Sequence, residues 1–304
     1  MPLPAYYRDT DVGRIFDPDF QRTYQAGLAD QTSPANDDKH RILLWLVDVQ
    51  IDFCFPAPTG RLTVPNALED TCRTVEWIYR NTPVITHIAA SLDTHTPFQI
   101  FYPSWWQAAD GSHPQPFTVI TAEDVRKGKW RPVTEVKWSA YYVEELERSS
   151  RKQLMIWPYH CMEGSAGRAL VPALSEAIMY HSAARMAQPT YLVKGTIAQT
   201  EYYSVLEPEV KFPSHPDGKL NEAFLKFLRE FDLIYICGQA RSHCVLETIH
   251  SVLRYYGDNP VVLNKMRFLD DCSSSIAGFE ESTERQIAQF AAQGIKLVKS
   301  TDPV

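Results

Sequence analysis

The sequence predicts an α/β protein with three layers, helices on both faces of a mostly parallel sheet. Two observations carry this expectation. Apolar runs of strand length alternate with stretches whose apolar residues fall at helical spacing, the order of elements that builds parallel sheets. The first run, Ile42 to Val47, is apolar without alternation, as a strand covered on both faces requires. With 304 residues, 44% hydrophobic and 22% charged, the chain has enough sequence for one large domain with insertions.

Residues 1–40 are polar and proline-containing, without clear periodicity. They read as an N-terminal arm or leader ahead of a domain over 41–304. The strand Ile42 to Val47 ends at Asp48. Leu68, Cys72, Val75, Ile78 and Tyr79 follow at helical spacing, and Pro83 to Ala90 reads as the next strand, with Asp93 just past its end. Residues 98–152 break the rhythm: Trp105, Trp106, Trp130 and Trp138 are scattered among prolines around a charged helix near 141–150. They are read as an insertion that packs on the domain or caps its site. The alternation resumes with a helix over about 169–185, a strand Thr190 to Val193 ending at Lys194, a helix over 221–230 and a strand ending at Gly238. A helix over Leu246 to Tyr256, a strand Val261 to Leu263, a helix over about 280–293 stopped by Gly294, and a strand Ile295 to Val298 complete the pattern.

A net charge of −7 and the lack of any Lys/Arg block argue against a nucleic-acid surface and leave small molecules as the expected partners. No stretch has the length and apolarity of a signal peptide or a membrane span, so a cytoplasmic protein is expected. Cys54, Cys72, Cys161, Cys237, Cys244 and Cys272 show no CxxC spacing and read as free thiols.

The chemistry centres on Cys244, in the turn between the strand ending at Gly238 and the helix from Leu246. A lone cysteine there is more often a small buried apolar residue. Backbone N–H groups and the positive end of a helix nevertheless favour a thiolate at this place. Asp48, Asp93 and Lys194 also stand at strand ends, where open parallel sheets bind ligands, so four such groups converge on one crevice. Asp93 and His95 lie two residues apart, and His160 in Trp157-Pro158-Tyr159-His160-Cys161 is the candidate third ligand for a divalent ion.

Five motifs in order, Val47-Asp48-Val49-Gln50-Ile51-Asp52-Phe53-Cys54, Asp93-Thr94-His95, Trp157 to Cys161, Lys194-Gly195-Thr196 and Gly238 to Val245, resemble the nicotinamidase branch of the isochorismatase-like cysteine hydrolases. The resemblance runs with gaps from about residue 41 to the C-terminus. It implies the Rossmann-like isochorismatase fold with a six-stranded parallel sheet, and often a homo-oligomer. It also implies a triad of Asp48, Lys194 and Cys244, and a metal site of Asp93, His95 and His160, suited to zinc first, then iron or manganese. An oxyanion site would use the N–H groups of Ala240 and Cys244 beside a cis Gln239–Ala240 peptide. Phe53, Trp157, Tyr203 and Gln239 are the substrate-pocket candidates. The implied activity is hydrolysis of nicotinamide or a close aromatic amide to the acid and ammonia through a thioester, in NAD salvage. Ile51, Gln239 and Arg241 to His243 depart from the commoner pattern, which keeps another small-amide or carbamoyl hydrolase, or a non-catalytic binding relative, as alternatives.

Overall fold

In the computed structural model, which describes residues 1–150, 152–257 and 259–304, β1 (Ile42–Val47) is buried along its whole length at the centre of a six-stranded parallel sheet. The other strands are β2 (His87–Asp93), β3 (Thr190–Lys194), β4 (Leu233–Gly238), β5 (Met266–Leu269) and β6 (Lys296–Val298), in the spatial order β6-β5-β4-β1-β2-β3. The chain builds outward from β1 to β2 and β3, then returns to place β4 on the other side of β1. The order therefore reverses between β1 and β4, and their carboxyl ends open the crevice where parallel sheets bind ligands. In register, Val47 pairs with Gly238, and Asp93 with Lys194.

The continuous apolar character of β1 has a direct structural use, since successive side chains point to opposite faces. Ile42, Leu44 and Leu46 enter one core with α3 (Ala67–Asn81) and α5 (Pro172–Arg185), while Leu43, Trp45 and Val47 enter the other with α6 (Glu222–Leu228), α7 (Leu246–Tyr256) and α8 (Glu280–Ala292). Further helices include α1 (Phe20–Ala29), α2 (Ile51–Cys54) and α4 (Val136–Glu145).

Four details differ from the sequence expectation. The segment Val261 to Leu263 is a helical turn, because Pro260 starts it and the Asn259 side chain accepts from Val261 N; the strand lies at Met266–Leu269 instead. The second strand begins at His87, since residues 82–84 turn out of α3 and only Thr86, whose N–H donates to the Ile42 carbonyl at 2.9 Å, brings the chain alongside β1. The helix in the insertion starts at Val136 and runs on as a wider turn over Leu146–Ser150. Within the first forty residues, α1 packs along α5, burying Thr23 and Gly27, a contact of small residues that leaves little hydrophobic periodicity.

The insertion is part of the first core rather than an appendage. Ile100, Phe101, Tyr102, Trp105 and Trp106 are fully enclosed there, and Trp138 Nε1 donates to the Gln199 carbonyl at 2.8 Å. Among the described residues no helix is long and apolar enough to cross a membrane.

Candidate active site

Asp48 is the first residue past β1 and turns into the left-handed region at φ 49°, a conformation that Asp tolerates better than most residues. Its main-chain N–H donates to Ser91 Oγ at 3.0 Å, and the same hydroxyl donates to Oδ1 at 2.5 Å. Ser91 on β2 therefore fixes the carboxylate. Lys194, the last residue of β3, places Nζ 3.0 Å from Asp48 Oδ2 and 3.1 Å from Asp93 Oδ1. It also donates to the Tyr202 carbonyl at 2.8 Å and lies 3.7 Å from Cys244 Sγ. The three residues predicted from separate strand ends are thus in contact around one ammonium.

Burial opposes the charge on Lys194, but Asp48 and Asp93 outweigh it and hold the amine protonated. Burial raises Asp48, with Lys194 pulling the other way. Asp93 lies below the usual carboxylate range: burial acts to raise it, and His95 and Lys194 overcome that. Burial, only partly offset by Lys194, pushes the Cys244 thiol well up and so opposes the thiolate that the helix start favours. The cysteine also lies not in a loose turn but inside a helical turn, Arg241–Val245, that feeds directly into α7.

Asp93, His95 and His160 bring one ligand atom each to within 4.8 Å of one another. The histidine tautomers follow from their outer partners, because a carbonyl can only accept. His95 Nδ1 donates to the Gly195 carbonyl at 3.1 Å, and His160 Nδ1 donates to the Pro158 carbonyl at 2.7 Å. Both Nε2 atoms then face Asp93 Oδ2, at 2.9 and 3.9 Å. Burial opposes the charge on His95, but Asp93 outweighs it and raises the imidazole, whereas burial pushes His160 down to about 3. With both Nε2 atoms free of protons, an oxygen and two nitrogen lone pairs converge on one point, the arrangement a divalent cation satisfies. The residues present fit such an ion. Gly195 sits at φ 79°, where a side chain would be strained and its Cβ would fall on Asp93 and His95.

Two residues of the first motif to which no role is assigned in the sequence hold this group in place. Gln50 donates to the Asp93 carbonyl at 2.8 Å and accepts from Asp93 N at 2.8 Å, clamping the end of β2. Asp52 accepts from Cys161 N at 2.6 Å and so anchors the loop carrying His160. Their signal was the alternation Asp48, Gln50, Asp52, which aims polar groups repeatedly into an apolar segment. Ser91 had no such signal, being one small residue inside a strand.

The pocket candidates divide. Phe53 meets the His160 ring edge-on, with centroids 5.5 Å apart. Trp157 Nε1 donates to Tyr203 Oη at 3.3 Å, and both rings touch His243. Gln239, another pocket candidate, donates from its amide to Asp70 Oδ2 on α3 at 2.9 Å and so ties the β4 end to a helix. The Gln239–Ala240 peptide is cis, and the Ala240 carbonyl accepts from His243 N and Val245 N at 3.1 and 3.2 Å.

The sheet order and a buried Cys–Lys–Asp cluster beside an Asp/His/His group define the class as the isochorismatase-like α/β fold. Within it, the chain is similar to nicotinamidases: it is 23% identical over 238 residues to the Saccharomyces cerevisiae nicotinamidase, covering 74% of this chain and 93% of that protein. The yeast nicotinamidase structure with the inhibitor nicotinaldehyde superposes with a TM-score of 0.59 at 22% identity, over 85% of this chain and 99% of that one. The Acinetobacter baumanii nicotinamidase/pyrazinamidase gives a TM-score of 0.55 at 20% identity, over 88% and 99% of the two chains. The L. infantum protein solved with nicotinate gives 0.52 at 18% identity, over 89% and 97%. No protein-family model matches the chain.

Proposed function

We propose that the protein is a cysteine amidohydrolase that cleaves nicotinamide or a closely related aromatic amide to the acid and ammonia. The observation that supports this most is the contact of Lys194 with Asp48, Asp93 and Cys244, which joins the nucleophile to the metal-ligand group in one buried cluster. Asp48 Oδ2 meets the Lys194 ammonium at 3.0 Å and retains a lone pair for the thiol proton. Asp48 takes that proton, and Cys244 Sγ attacks the amide carbon. Electron density moves to the carbonyl oxygen, where the N–H groups of Ala240 and Cys244 receive it. Collapse breaks the C–N bond, Asp48 returns its proton to the departing nitrogen, and a thioester remains. Water, deprotonated by Asp48, cleaves the thioester and frees the thiol.

Held by Asp93, His95 and His160, a divalent ion (zinc first, with iron or manganese as alternatives) supplies a Lewis-acidic anchor for a ring nitrogen. Phe53 and Trp157 flank the ring. We further propose that the reaction serves NAD salvage in the cytoplasm, where six free thiols suit a reducing compartment, and that the protein works as a homo-oligomer.

Ammonia release from nicotinamide by the purified protein tests the reading. Cys244→Ala should abolish release while leaving metal content unchanged, and chelation should abolish it reversibly. Turnover of a different amide with none of nicotinamide would transfer the assignment to another small-amide or carbamoyl hydrolase; silence on a broad amide panel would leave a binding protein.

A further inference from the structure

Every reacting group of the site is buried: Cys244 keeps 6% of its exposure, Lys194 3% and Asp48 none. A substrate needs a route to them. A cavity of about 960 Å³ is bounded by the insertion at Lys152, the segment after β3 at Tyr203, one face of α7 at Glu247, and Phe279 ahead of α8; the reacting groups themselves do not line it, but their chain neighbours do. Part of its lining is a triangle of rings, Trp157, Tyr203 and His243, with centroids 5.4, 5.8 and 6.4 Å apart. Each wall residue neighbours a functional one in the chain. His243 precedes Cys244, Tyr203 follows the Tyr202 carbonyl that binds Lys194, and Trp157 leads to His160.

We propose that this cavity is the vestibule of the catalytic site, a compartment that receives a flat, uncharged aromatic amide before it passes between Tyr203 and His243 to Cys244. The assignment of the ligand rests on the amidase reading; the route does not. The charges lining the cavity are spent on one another: Lys152 pairs with Glu209 and Glu247 at 2.7 and 2.8 Å, and Arg254 with Glu207 at 2.8 Å. An ionic ligand gains little there, whereas Trp157, Tyr203 and Phe279 offer aromatic surface. Burial pushes the His243 imidazole down to about 4, so the wall is uncharged at neutral pH. The rings meet edge-on and share one hydrogen bond, the 3.3 Å contact of Trp157 with Tyr203, while His243 is also held by Ser242 Oγ at 2.8 Å and packs on Phe279 at 4.8 Å, so passage requires these side chains to move. Lys152 Nζ lies 5.1 Å from the Tyr203 ring centroid, so the insertion bears on the ring that must move.

Access is measured by iodoacetamide alkylation of Cys244, followed by mass spectrometry of its peptide, which requires no turnover. Ser282→Trp, on the cavity wall remote from the reacting groups, should fill the vestibule and slow Cys244 alkylation at least tenfold, with unchanged melting temperature and metal content. Tyr203→Ala should accelerate alkylation by a similar factor. Val119→Trp fills the same space from the insertion and replaces Ser282→Trp if that variant fails to fold. Alkylation at the wild-type rate in the filled variant overturns the proposal. A slowed rate in a protein that turns over no amide upholds the route and removes only the ligand assignment.

Discussion

Lys194→Met is the most informative perturbation, because one ammonium satisfies two buried carboxylates. At 3.0 and 3.1 Å and an effective dielectric near 20, each attraction is worth about 5 kcal/mol before desolvation. Lys194 itself is almost fully enclosed, so most of that gain offsets the cost of burying three charges. Removing the cation therefore should cost about 3–5 kcal/mol, the range for orphaning a buried charge. The remaining carboxylates can limit the loss only by taking up a proton. Urea unfolding should thus show Lys194→Met regaining stability as the pH is lowered, since protonating one carboxyl relieves the repulsion. The double variant Asp48→Asn/Lys194→Met should be more stable than Lys194→Met alone, a coupling that a double-mutant cycle isolates. Turnover should fall by about 10²–10⁴-fold, the scale of losing an aligned acid–base device. If Lys194→Met keeps wild-type stability and turns over within threefold of wild type, the description of this cluster is wrong.

Acid stability provides a second test. His181 on α5 donates from Nε2 to the Ile85 carbonyl at 2.9 Å, and burial pushes it down to about 4. The unfolded chain protonates this histidine near 6.5 while the folded one does not, so the unfolded state binds more protons between those values. The His181 contribution to stability should be level above pH 6.5 and fall by up to about 3 kcal/mol on descending to pH 4, against the opposite contribution of Glu201, which burial pushes up to about 7. Urea midpoints across that range should show a shallower slope for His181→Gln than for the wild type; equal slopes would remove His181 as the cause. A third prediction concerns Gly167, where an added Cβ would fall on the Asp52 carboxylate. Gly167→Ala should displace Asp52, release Cys161 N and loosen the His160 loop, costing about 1–3 kcal/mol. Metal affinity should drop about 10–100-fold, as for lost outer partners of a ligand. Titration with zinc should detect the drop, and unchanged affinity would show that Asp52 does not position His160.

Much of this molecule is readable from local pattern. The apolar run at 42–47, the helix at 246–256 and the strand ending at Gly238 are found where periodicity places them, because both-face burial leaves a continuous apolar signature. Asp48, Lys194 and Cys244 were legible as residues at strand ends, and the structure adds that they touch.

Other features had no local signal. Val261 to Leu263 has a strand's composition, yet Pro260 and the Asn259 cap turn it into a helix, and pairing beside β4 selects Met266–Leu269 instead. Gln239 stands near the nucleophile in sequence, but its partner Asp70 comes from α3, far away in the chain. The protonation of Cys244 depends on how completely packing removes water, so burial here opposes the thiolate that a helix end favours. By itself the sequence determined which chemical groups stand at which strand ends. Only the tertiary structure decided their distances, their charge states and the cavity before them, because those depend on contacts between segments far apart in the chain.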